Sequence, residues 1–214
     1  MNFFDISPVI SSHTAVFPGD VPFQRKISMD FQKGDNLLLS SIHSTLHIGA
    51  HADAPNHYSP EGDGIEMREI SYYLGAVQVI RVTTKRGDRI KIKDFKNKEI
   101  KAPRVLFYTG SYPDSNHWNS DFSSLSPAVV DFLAERGVKL IGIDTPSVDP
   151  ADDQILLSHS RISHHHMAIL EGIVLEGVPE GLYDLIALPL RLEKADASPV
   201  RAILLEHGTL LLKP

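Results

Sequence analysis

Short apolar stretches broken by turns dominate the chain, with few long amphipathic stripes. Gly75–Thr83 (Gly-Ala-Val-Gln-Val-Ile-Arg-Val-Thr) alternates with a period of two and predicts a strand. Phe3–Ser7 is a shorter strand candidate, and Phe23–Phe31 and Asn36–Leu46 read as extended. Phe17-Pro-Gly-Asp20 has the residues of a turn. Arg104–Thr109 predicts a buried strand. Ser126-Pro127 opens a helix with an N-cap residue and a proline at the first helical position, Gly137 closes it, and Val138–Ile143 follows as another strand. Strand, helix and strand at that spacing imply that part of the sheet is parallel. Ile173–Leu175, Leu182–Leu190 and Arg201–Leu205 supply further strands, and the Lys/Arg-rich stretch 84–101 reads as a solvated face. With no internal repeat, low-complexity tract or linker, the expectation is a single α/β domain over 1–214, a mixed sheet with few helices.

Composition narrows the class. Hydrophobic residues make up 42% and charged residues 22% of the 214, which is ordinary for a folded globular protein and excludes intrinsic disorder. Lys+Arg 21 against Asp+Glu 27 leaves a net charge of −6, which argues against nucleic acid as a partner. Apolar runs fall far short of the roughly 20 residues of a membrane span, and the first residues lack a basic segment followed by an apolar one, so no signal peptide is expected. The absence of cysteine removes thiolate ligands and nucleophiles and fits a reducing compartment. A cytoplasmic protein is the expectation.

The histidines change the picture. His43, His47, His51 and His57 fall within fifteen residues, where even scatter of the eleven would place about one. In His47-Ile-Gly-Ala-His51-Ala-Asp53-Ala-Pro55-Asn-His57 the three histidines and the aspartate hold odd positions with small residues between them, and Gly49 and Pro55 both oppose a helix. In a flat strand His47 and His51 would be about 13 Å apart at Cα, using ~3.3 Å per residue. To share an ion the chain must bend, and Gly49 is the natural place. Imidazole and carboxylate without sulfur suit Zn²⁺, Mn²⁺ or Fe²⁺ and the open type of site used in catalysis. His159, His164, His165 and His166 form a second group, of which the last three fan outward on a helix, and at least two of those read as surface or packing residues. His159 and Glu171 are the better candidates, but on one unbroken helix they would lie about 18 Å apart at ~1.5 Å per residue. Joint ligation requires a break, which a second short helix capped at Ser163 could supply. No G-x-S-x-G elbow, H-E-x-x-H, Walker loop or G-x-G-x-x-G occurs. Asp144-Thr-Pro-Ser-Val-Asp149-Pro follows a strand, where site residues often gather, and equally reads as a helix-capping turn.

His47-x-Gly-x-His51-x-Asp53-x-Pro55-x-His57 resembles the signature of the cyclase-like metal-dependent hydrolases and, within them, of the bacterial kynurenine formamidases. The likeness extends to Phe17-Pro-Gly-Asp-Val-Pro-Phe23, Arg136–Asp144 with Pro146–Pro150, Leu185–Leu190 and Ser198–Ala202. The resemblance implies a swivelling β/β/α-type fold, a homodimer and two zinc ions per subunit, with Mn²⁺ the alternative metal. His47, His51 and Asp53 would hold one ion, Asp53 and Glu171 would bridge, and His159 would complete the second. His57 would be the general acid and base in hydrolysis of an aromatic formamide, N-formyl-L-kynurenine, by metal-generated hydroxide. The sister reaction, opening of a cyclic amide such as isatin, is the alternative. Phe17 stands where the family usually has a substrate-contacting Trp, and Ala50 where it usually has Thr; Phe keeps a stacking face but offers no N–H.

Overall fold

The computed structural model describes residues 3–210. In chain order the elements are β1 (Phe3–Asp5), β2 (Gln24–Met29), β3 (Leu39–His43), β4 (His51–Asp53), α1 (Pro55–Tyr58), β5 (Leu74–Arg81), β6 (Arg89–Ile90), β7 (Arg104–Tyr108), β8 (Ser124–Leu125), α2 (Pro127–Ala134), β9 (Leu140–Ile143), α3 (Leu157–His164), β10 (Ala168–Glu171), β11 (Gly181–Ile186), β12 (Ala197–Pro199) and β13 (Ile203–Glu206). Nine strands form one sheet in the order β1-β13-β11-β5-β7-β9-β10-β4-β12. Its centre, β5-β7-β9-β10, is parallel, and the flanking pairs are antiparallel. The mixed α/β sheet with few helices is therefore as expected, including the parallel β7-α2-β9 unit.

Alternation along the central strands divides the core. Val105 and Phe107 of β7 pack with Val129, Val130 and Leu133 of α2 on one face, whereas Leu106 turns to the other face with Val77 and Val79 of β5. Both faces are covered, which is why the central strands read as near-continuous apolar runs.

Three expectations need correction. Ile173–Leu175 is not a strand. The strand is Ala168–Glu171, and it ends because Gly172 adopts φ +62°. α3 is not broken into two helices at Ser163 but runs unbroken to His164, where His165 and His166 turn the chain into β10. Pro55 does not oppose helix at His57. It opens the one-turn α1, since a first-turn proline lacks only an N–H that had no partner there anyway.

The stretch 84–101 is mostly exposed, but Ile90 and Phe95 are buried in it. Away from the main sheet, β2 and β3 pair into a two-stranded arm whose residues are nearly all exposed, among them Ile27, Leu39 and Ile42.

Candidate metal centre

The bend expected at Gly49 is present. Gly49 has φ +57°, and the chain turns there from His47 into β4. This brings the His47 and His51 rings to 5.1 Å between centroids and lays His47 against His57 at 4.1 Å. β4 runs between β10 and β12, with Glu171 opposite His51 and Ile169 opposite Asp53, so adjacent strands deliver Glu171 to the histidine segment. The approach is tight. A Cβ on Gly172 would lie 2.1 Å from the Gly49 carbonyl oxygen, so only glycine permits the two turns to touch.

The second segment arrives through α3. Asp149 accepts from the backbone N–H groups of Ser158 and His159, each at 3.0 Å, and from His159 Nδ1 at 2.8 Å. It thus satisfies orphan donors of the first helical turn and aims His159 Nε2 at the site. Arg89 donates to Asp149 Oδ1 at 2.6 Å, so one residue of the basic stretch has an internal task. His51 is oriented in the same manner, its Nδ1 donating to the Gly49 carbonyl at 2.9 Å and leaving Nε2 to face inward.

Five of the expected site residues therefore converge. Asp53 Oδ1 is 3.1 Å from His47 Nδ1 and 3.5 Å from His51 Nε2, while its Oδ2 is 3.6 Å from His159 Nε2. Glu171 Oε2 is 3.3 Å from His51 Nε2, and Oε1, which accepts from Val148 N at 2.7 Å, is 3.8 Å from His159 Nε2. His57 lies at the edge, its donor atom grouped with those of Asp53 and His159 within 4.8 Å; His47, His51 and Asp53 form a second such group. Asp196, not singled out in the sequence, sits 3.1 Å from His47 Nε2 and 3.9 Å from His57 Nδ1. His164, His165 and His166 stay away. His165 pairs with Asp131 at 2.7 Å, and the other two are exposed.

The electrostatics describe an anionic cradle. Asp53 is fully buried, and His51, His159 and Glu171 are each only 2% exposed. Burial alone would depress the His47 imidazole, but contact with Asp53 and the charges of Glu171 and Asp196 push it up to about 9. His159 is driven up to about 10 against its burial by Asp149, Asp53 and Glu171. Burial and the Asp53 charge raise the Glu171 carboxyl, whereas neighbouring imidazoles hold Asp53 well below its usual range despite its burial. His57 goes the other way, lowered by burial and by its neighbours His47 and His159.

His51 Nε2, His159 Nε2 and both oxygens of Asp53 are buried without a hydrogen-bond partner. Orphaned polar atoms of this kind are costly, and these four, two imidazole nitrogens that each face a different oxygen of one carboxylate, fit divalent cation binding. Among the described residues, this donor set is suited to a metal ion.

Beside it opens a cavity of about 400 Å³, lined by His47 and His51 at one side and by Phe17, Tyr112 and Trp118 elsewhere. Phe17 packs against Trp118 with ring centroids 4.5 Å apart and the planes tilted by 59°, and Trp118 is an aromatic not singled out in the sequence. Ala50 is buried, and its carbonyl accepts from Val200 N at 2.9 Å. Among the described residues no helix is long and apolar enough to cross a membrane.

Comparison with known proteins agrees with the resemblance read from the histidine signature. The chain is 44% identical over 206 residues to a kynurenine formamidase from Bordetella petrii, covering 96% of this chain and 98% of the relative. Its fold matches the structure of a predicted metal-dependent hydrolase from Bacillus stearothermophilus with a TM-score of 0.81 at 24% identity, covering 95% of this chain and 97% of the other. It also matches isatin hydrolase A from Labrenzia aggregata with a TM-score of 0.80 at 20% identity, covering 95% and 93%. The model of the putative cyclase family matches residues 4–150, from the first strand through the helix-orienting Asp149, and the chain belongs to that family.

Proposed function

We propose that this chain is a metal-dependent arylformamidase that hydrolyses N-formyl-L-kynurenine to L-kynurenine and formate. The observation that carries the proposal is the convergence of buried, unpartnered His51 Nε2, His159 Nε2 and both Asp53 oxygens beside an aromatic cavity. The name of the 44%-identical relative from Bordetella petrii supports the substrate.

In this reading His47, His51 and Asp53 would hold one ion and His159 would complete a second, with Asp53 and Glu171 shared between them, since the two oxygens of each carboxylate face different histidines. The donor chemistry suits Zn²⁺, with Mn²⁺ the alternative. A divalent cation bound there supplies Lewis acidity and brings the pKa of water toward neutrality.

The chain's own groups then do the rest. Phe17 and Trp118 give the aryl ring a wall to stack on. His57, kept neutral near pH 7 by burial, accepts the proton of the attacking water as its oxygen bonds to the formyl carbon. It returns that proton to the aryl nitrogen as the C–N bond breaks, so that the leaving group departs as a neutral amine and the acyl part as formic acid, which gives up its own proton to solvent to become formate. Asp196, near both His47 and His57, steadies the ring that must move the proton. A small-molecule substrate, with neither nucleic acid nor membrane involved, fits the net charge of −6.

The exposed apolar side chains of the β2–β3 arm, Ile27, Leu39 and Ile42, support pairing with a second copy as a homodimer. Sedimentation of wild type against Ile42→Glu tests this, and a wild-type monomer contradicts it. For the activity, one metal-loaded preparation is assayed on N-formyl-kynurenine and on isatin. Formamide hydrolysis with slow or absent isatin opening is expected, and the reverse order would replace this reading with the cyclic-amide one.

A further inference from the structure

Away from the metal-facing histidines, the cavity has an unusual charge. Its lining includes three carboxylates, Asp114, Asp144 and Glu176, and no lysine or arginine. Two of them are already committed. Asp144 is buried and accepts from Thr109 N, Thr109 Oγ1 and Gly110 N at 2.7–3.0 Å, while Asp114 accepts from Asn116 N and pairs with His117 Nδ1. Glu176 differs. The Tyr108 hydroxyl donates to its Oε2, and Oε1 has no partner among the described residues. The phenol ring is itself held by the Arg81 guanidinium, 3.7 Å from the ring centroid. Glu176 is thus an exposed carboxylate steadied at one oxygen and open at the other.

We propose that Glu176, positioned by Tyr108, binds an ammonium group on the substrate, with Asp144 and Asp114 adding negative potential. This inference rests on the formamidase reading and deepens it. The preferred aryl formamide carries an ammonium on its side chain, a neutral analogue binds less well, and a carboxylate held at the Glu176 end, away from the metal-facing histidines, is disfavoured by the like charge of Glu176, Asp144 and Asp114. A carboxylate beside that ammonium has no cationic partner among the lining residues and is left toward the opening.

The test uses the metal-loaded enzyme with three formamides: N-formyl-kynurenine, which bears the ammonium; N-formyl-2-aminoacetophenone, which is neutral; and N-formylanthranilate, which is anionic. Wild type is expected to rank them in that order by kcat/KM. In Glu176→Gln the preference for the first over the second falls about tenfold, with the change in KM and not in kcat. Tyr108→Phe lowers the same preference by a smaller factor, and metal content measured in parallel exposes any folding defect. Hydrolysis of both substrates with an unaltered preference in both variants overturns this inference and leaves the formamidase reading standing. Failure of wild type to hydrolyse either one overturns that reading, and this inference with it.

Discussion

The two segments that meet at the metal centre are built in opposite ways. The first, His47–His57, compresses three histidines and an aspartate into eleven residues and needs only a bend at Gly49 and the one-turn α1 to aim them. The second spreads its donors over Asp149, His159 and Glu171. It uses a helix, a turn with His166 at φ +54° and a parallel strand to carry the last of them next to the first segment. The difference separates two means of positioning a ligand. Local crowding orients a side chain through its chain neighbours, as the Gly49 carbonyl does for His51. Distant delivery needs an outside partner, as Asp149 is for His159, and a close approach that no side chain obstructs, as at Gly172.

Substitutions can break this comparison at either segment. The largest effect is expected within the compact one. His57→Ala should lower kcat about 10²- to 10⁴-fold while the protein keeps its metal, read by steady-state kinetics beside elemental analysis. Loss of metal in that variant would instead make His57 a ligand. In the dispersed segment, Gly172→Ala forces a Cβ toward the Gly49 carbonyl at a positive φ. It should cost about 2 kcal/mol or more, seen as a lower melting temperature with depleted metal. A melting curve that overlays wild type would show that the contact between the two turns is not needed.

Smaller effects sharpen the same distinction. Asp149→Asn removes the anion that orients His159 and should weaken metal affinity about 10- to 100-fold in a chelator competition. Retained affinity would mean that packing alone aims the ring. The pH dependence follows from the protons that metal must displace. His47 and His159 are pushed up to about 9 and 10 by surrounding carboxylates, so both carry a proton at neutral pH when no cation is bound. Binding needs their lone pairs and expels those protons. Affinity should therefore tighten as pH rises from 6.5 toward 9, about tenfold per pH unit for each proton released, and a flat profile would show that the imidazoles do not ligate.

These mechanisms also explain what could be read in the sequence. Alternation in 74–81, the apolar run at 104–108 and the helix opened by Pro127 carried enough local information to set the core of the sheet. The density of histidines did the same for the compact segment, including its bend. Asp149 looked like an ordinary capping residue, because capping a helix and orienting a histidine on that helix leave the same mark in a sequence. Asp196 reaches His47 only because β12 pairs with β4, a contact across more than 140 residues that no local pattern encodes. Glu171 sits within the apolar run from Met167 to Leu175, where hydrophobicity continues on both sides of Gly172. Only the positive φ of that glycine, set by the approach of Gly49, decides where the strand ends. Trp118 lies in a loop with no periodicity and becomes visible only through its contact with Phe17.

The most direct test of the shared centre is the metal stoichiometry of wild type and Asp53→Ala, measured by elemental analysis after equilibration with zinc. Asp53 is fully buried, and its two oxygens face the two segments separately. Two ions per chain in wild type and almost none in the variant, with formamide hydrolysis lost alongside, is the predicted result. An Asp53→Ala protein that retains the full complement of metal would contradict the account.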